Sequence, residues 1–180
     1  MGHTESADII DRYLGFRGEI DKFVAHVSEQ YPQDIACSPG CDACCRGGLT
    51  IVSLEGVMLG RALGIDAGRI HAIVDQDPLE PEGSCMLLGA DHVCRAYEDR
   101  PLVCRTHGIP VLYTEAQALA LCERNFPDQD PPPEDSVMDG EKMVTFLFLL
   151  NMEYCEQLGL SPLSRVAIDR IAGLARPDTL

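Results

Sequence analysis

Cys37, Cys41, Cys44 and Cys45 stand in a C-x3-C-x2-C-C run, and Cys85, Cys94, Cys104 and Cys122 follow at wider intervals. Thiols this crowded either bind metal as thiolates or pair as disulfides. They do not read as core filler, because buried side chains recur at helical or strand periods and this run does not. The total of nine cysteines is odd, so a complete set of bridges would leave one thiol over. Adjacent Cys44 and Cys45 project in divergent directions and cannot easily share a bridge partner. The opening Met-Gly-His-Thr-Glu-Ser-Ala-Asp lacks the basic and then apolar regions of an export signal, so a cytoplasmic location is the expectation. Thiols there stay reduced, which favours metal ligation over bridges.

Zinc and iron–sulfur clusters both take thiolate ligands, commonly in fours. Eight cysteines could fill a pair of four-sulfur sites, or one polynuclear site with bridging thiolates. Four thiolates outweigh the charge of one Zn²⁺, so cations nearby would help. Arg46, Arg95 and Arg105 each adjoin a cysteine and Arg100 precedes Cys104 by one helical turn; the alternative for each is pairing with surface acids. His107 completes a Cys-x2-His spacing with Cys104, but eight thiols suffice, so it is expected behind the ligands or incidental. His92 is expected to be exposed. Cys155 falls at helical spacing from Val144, Phe148 and Met152, the pattern of a free core cysteine.

These ligands need elements to hold them. Ile9, Ile10, Tyr13, Phe16, Ile20, Phe23, Val24 and Val27 recur at three- and four-residue steps, which predicts a helix from about Ser6 to Gln30, ended by Pro32, with Gly15 and Gly18 leaving room for a bend. His26 lies off that stripe and His71 has no ligand types near it, so both read as surface. Ser38-Pro39-Gly40-Cys41 reads as a turn. After a short extended stretch, Leu49–Val52, Ser53 is a plausible cap for a helix over Leu54–Leu63, with Gly64 as its stop. Asp66 caps a further short helix, and a turn-rich acidic stretch, Gln76–Gly83, follows. Cys85-Met-Leu-Leu and His92-Val-Cys94-Arg read as strands of a small hairpin that would bring Cys85 to Cys94. A proline-rich acidic linker precedes two helices, Glu141–Leu158 and Leu163–Ala175, the second opening on Ser161 and Pro162. The fold class expected is mainly α with a small β-hairpin. A single compact domain, 1–180, comprises an N-terminal helix (1–36), a cysteine-rich metal-binding region (37–126), the linker (127–136) and C-terminal helices (137–180).

The chain's 180 residues suffice for one buried core, and no apolar run approaches a membrane span. Net charge is −15, from 29 acids against 14 bases, which argues against nucleic acid or anionic lipid as partner. The acidity reads first as solubility and second as a docking face for a basic protein partner. No serine–histidine–acid order, paired acids, Walker loop or dinucleotide fingerprint supports a catalytic assignment, so the enzyme question stays open.

The combined pattern Cys37-x3-Cys41-x2-Cys44-Cys45, Cys85-Met-Leu-Leu and Cys94-Arg-Ala-Tyr97-Glu-Asp-Arg100-Pro101-Leu-Val-Cys104-Arg105 resembles the CxxCxxCC (YkgJ-like) family of zinc- or iron-chelating proteins. The first gap here is three residues where the family name has two. The resemblance spans about Cys37 to Cys122 and implies that Cys37, Cys41, Cys44, Cys45, Cys85, Cys94, Cys104 and Cys122 are metal ligands, Cys122 being the eighth. It implies zinc as the cofactor, or alternatively iron or an iron–sulfur cluster. Flagellin lysine-methylating proteins share a similar cluster, so a redox or methyl-transfer enzyme is one rival. An adaptor whose metal supports an acidic surface is another.

Overall fold

The computed structural model describes residues 2–38, 40–79 and 82–175. Helix α1, Gly2–Gln30, runs unbroken through Gly15 and Gly18 and starts somewhat earlier than its apolar stripe predicts. At roughly 1.5 Å per residue it spans about 44 Å. That length lets one helix serve two apolar cores. Ile9 and Tyr13 pack into the first core, while Ile20 and Val27 pack into the second.

The first core is organised around β1, Thr50–Val52, which leads straight into α2, Ser53–Ala62. Ser53 to Gly60 are all buried, so this short helix lies inside the molecule. Val52, not Ser53, occupies the cap position, and Gly64 ends the turn with φ +70°. Asp66 caps α3, Ala67–His71, by accepting from the Gly68 amide at 2.8 Å. Ile70 of α3 lies within 2.7 Å of where a Cβ on Gly60 would stand, so glycine is what permits that helix contact.

The C-terminal part departs from the expectation of a helix over Leu163–Ala175. Arg165–Ala167 is instead strand β5, and α6 covers only Ile168–Leu174. β5 pairs antiparallel with β1, Thr50 opposite Ala167 and Ile51 opposite Val166. The open edge of β1 supplies the partner that Arg-Val-Ala lacks within its own segment. Before it, α5 covers Gly140–Leu158, close to prediction. Asp139 caps its start by accepting from the Lys142 amide, and left-handed Gly159 ends it as the Leu160 amide returns to the Cys155 carbonyl. Leu150, Tyr154 and Cys155 face the first core, where Cys155 is wholly buried as expected. Val144, Leu149 and Met152 of the same helix are close to half exposed.

The second core lies under α4, Leu102–Thr106, and a small sheet of β2 (Val111–Tyr113), β3 (Ala118–Ala120) and β4 (Met138–Asp139). β2 pairs antiparallel with β3 and parallel with β4. The true hairpin is therefore β2–β3. The segment expected to form one, Cys85–Arg95, makes a single antiparallel bridge between Leu88 and Cys94 and no strands. The segment read as a solvated linker is anchored at places: Ser136 is buried in a 3-10 turn over Glu134–Ser136, and Tyr31 donates to Asp135 at 2.6 Å. Glu80 and Pro81, within the acidic stretch, and Pro39, within the Ser38–Cys41 turn, lie outside the described residues.

Candidate metal centre

The first cysteine loop is a succession of tight turns. The Cys41 amide returns to the Ser38 carbonyl at 2.9 Å, with Gly40 at φ +88°, and the Cys45 amide returns to Asp42 at 2.8 Å. Three hydrogen-bonded ties then bring the later cysteines to this loop. The Cys85 amide donates to the Cys45 carbonyl at 3.0 Å, alongside a bridge between Arg46 and Ser84. The Leu88–Cys94 bridge folds Cys94 back towards Cys85, as the hairpin expectation required. At the other end, the Phe126 amide donates to the Asp34 carbonyl at 2.8 Å, and Asn125 accepts from the Ala36 amide, so Cys122 is held beside Cys37.

The eight thiols consequently form two overlapping neighbourhoods. Cys37 lies within electrostatic reach of Cys122, Cys41 and Cys44. Cys45 lies within reach of Cys44, Cys85 and Cys94, and Cys104 within reach of Cys85, Cys94 and Cys45. Cys44 and Cys45 straddle the join. Cys41, Cys44, Cys45, Cys85, Cys94 and Cys104 line one cavity of about 560 Å³ whose remaining walls are largely apolar, Leu59 and Ile168 among them.

Electrostatics follow from that crowding. Burial pushes the Cys45 thiol up to about 12, and neighbouring Cys44, Cys85 and Cys94 add to the rise. Burial, with Cys85, Cys94 and Cys45 nearby, pushes Cys104 up to about 12, against the opposing charge of Arg100. Cys85 is raised chiefly by burial. Cys37 is raised by burial too, against the Asn125 amide, which donates to its sulfur at 3.4 Å. Such walls disfavour thiolates that have no cation beside them, which is the condition a metal dication relieves.

Among the described residues, no three His, Cys, Asp or Glu side chains already stand in a geometry that could hold a metal ion. The donor chemistry fits zinc or iron; the loops would have to draw in around the ion to ligate it. The loops carry few core side chains, which leaves them room to adjust.

The supporting residues differ from those the sequence points to. Arg105 is nearly buried, but it donates to the Arg100 and Glu98 carbonyls and to Asp21 of α1, at 2.6 Å for Arg100 and Asp21, and thus clamps the Cys104 turn without touching sulfur. Arg100 lies over the Tyr97 ring at 3.6 Å and donates to the Tyr97 carbonyl. Arg46 and Arg95 are exposed. Exposed His92 reaches across to Asp42 at 2.8 Å, and exposed His107 borders the thiol cavity. His26 is exposed as expected, whereas His71 is partly buried and hydrogen-bonded to Tyr154 at 3.1 Å.

Three residues carry the centre without any sequence signal. Asn125 binds the Gly108 carbonyl, the Ala36 amide and the Cys37 sulfur at once. Gly108 leaves room for that sulfur, since a Cβ there would stand 2.7 Å from it. Glu55 of α2, 4% exposed, accepts the Leu102 amide at 2.7 Å and so holds the start of α4, which carries Cys104. Arg124 adds a long contact of 3.9 Å to Cys41.

No match was found among curated proteins or among solved structures. Residues 36–123 match the CxxCxxCC family model, whose description is "Putative zinc- or iron-chelating domain", and the match takes in all eight clustered cysteines and excludes Cys155. The cysteine-bearing segment of this chain is thus similar to the CxxCxxCC family.

Proposed function

We propose that the protein binds zinc through its eight clustered cysteines, as two four-thiolate sets: Cys37, Cys41, Cys44 and Cys122, and Cys45, Cys85, Cys94 and Cys104. The observation that carries this reading is that thiols from widely separated segments gather in one region, six of them on the walls of one cavity. Closed four-sulfur zinc sites are structural, with no open position for catalysis. The ions would therefore cross-link loops that the chain itself packs thinly. No helix among the described residues is long and apolar enough to cross a membrane, and a cytoplasmic protein would keep these thiols reduced.

One observation favours a second reading. The thiols border a cavity of about 560 Å³, room enough for an inorganic cluster in place of a single ion. An iron–sulfur centre would bring redox or methyl-transfer chemistry within scope. Anaerobic purification, an absorption spectrum and metal analysis distinguish the two. Colourless protein with about two zinc ions per chain is the expected result. Brown protein with iron and acid-labile sulfide would establish the cluster instead, and protein that takes up neither metal would overturn both.

A further inference from the structure

A second cavity, of about 540 Å³, adjoins the thiol cavity at Val103 and His107, and no chemistry described so far uses it. Its volume falls in the roughly 300–1,000 Å³ range of small-molecule sites. Most of its wall is apolar: Val111 and Tyr113 of β2, Leu119 of β3, and Met143, Leu147 and Phe148 of α5. Thr50, Thr106, His107, Arg165 and Glu55 interrupt it, and Glu55 is a carboxylate only 4% exposed. Among the described residues it forms no ion pair. Its hydrogen bonds from Tyr13, at 3.2 Å, and from the Leu102 amide both fall on Oε1.

We propose that this cavity binds an amphipathic cation, a small ligand whose apolar body lies against α5 and β2 and whose protonated amine docks on Glu55. The inference does not depend on the metal reading. Holding Tyr13 and Leu102 needs only an acceptor oxygen, which a glutamine would supply equally; the charge is surplus to that structural task. Arg165 and Arg105 act on Glu55 only beyond ion-pair distance, so its buried carboxylate lacks a contacting counter-ion, at a cost that a ligand cation relieves. The other charged group on the wall, Arg165, is exposed and already donates to the Thr50 carbonyl at 2.7 Å, so an anion there would meet a screened and occupied partner. The net charge of −15 also concentrates cations around the molecule.

The test uses the full chain with its native metal content, titrated calorimetrically near pH 7 with octylammonium, octanol and octanoate, each below its micelle concentration. One-to-one binding of octylammonium about tenfold or more tighter than octanol is expected, with octanoate weakest. Glu55→Gln should erase the preference for the amine and leave octanol affinity unchanged. Octanol or octanoate binding as tightly as the amine would overturn the proposal. So would the absence of saturable binding, or an amine preference that survives in Glu55→Gln. Should that variant not fold, Val144→Trp, at a cavity-wall position 48% exposed, serves instead. Loss of octylammonium binding in Val144→Trp supports the site, and unchanged binding overturns it.

Discussion

At the level of single residues, the decisive groups around the thiols are the ones that shape them, and these need not be charged. Gly108 is the clearest case, because any side chain there must displace the Cys37 sulfur. Gly108→Ala should lower metal affinity about tenfold or more, in the range for residues that orient ligands, while far-ultraviolet circular dichroism stays unchanged. Unaltered affinity by competition with a chromophoric chelator would remove Cys37 from the ligand set. Glu55 offers a pH-dependent counterpart. Burial raises its pKa above the ordinary glutamate value of 4.5, against the lowering effects of the Leu102 amide, Tyr13, Arg165 and Arg105. The folded state therefore holds this proton more tightly than the unfolded chain does. Stability from that source is complete below the ordinary value and is lost as pH rises through the raised one. Melting temperatures of the ligand-free wild type and of Glu55→Gln should accordingly diverge from about pH 4.5 upwards, with the variant gaining on the wild type. Parallel curves would show that Glu55 titrates normally.

At the level of elements, α4 is only five residues long and would not persist alone. Glu55 fixes its beginning and Arg105 ties its body to α1 and to the preceding turn. Arg105→Ala should cost roughly 2–4 kcal/mol, because several oxygens lose one buried donor. Arg105→Lys should restore little of it, since an ammonium lacks the planar fork that reaches all of them. Denaturant titration of both variants measures this, and near-full recovery by lysine would show that charge alone suffices. Elements of this kind also mark where sequence reading stops. α1 and α5 were legible because their apolar spacing and their stop signals agree, as was α3 from its Asp66 cap. β5 was not, since three residues carry no period and form a strand only against β1. The β2–β3 hairpin escaped because its turn, Thr114–Gln117, contains neither glycine nor proline, although Gln117 takes φ +49°. The cysteines stand out in the sequence by type and spacing, while Asn125, Gly108 and Glu55 gain their roles from contacts across more than ten residues of chain.

For the whole molecule, stability is unevenly spread. The main core includes Leu54, Val57 and Leu59 of α2, so part of the cysteine-bearing segment is as well packed as any helix. The loops over 36–49 and 83–100 differ: among the hydrophobic side chains of their described residues only Leu87 and Ala96 are buried. Cross-linking by metal therefore matters for these loops more than for the whole of Cys37–Cys122. Chelation followed by segment-resolved hydrogen exchange should remove protection from both loops while α1, α2 and α5 keep theirs. Equal loop protection with and without metal would show that the metal does not hold them. Ligating thiolates must also shed their protons, so metal affinity should fall on acidification.

The pairing of β1 with β5 joins positions separated by 115 residues. A chain emerging from the ribosome presents all eight clustered cysteines well before Arg165–Ala167 is made. The face of α2 that β5 and α6 cover stays open through that interval, and contacts of such long range form late. Metal captured during synthesis would then set the cysteine loops first, and the last strand would close over a centre already assembled.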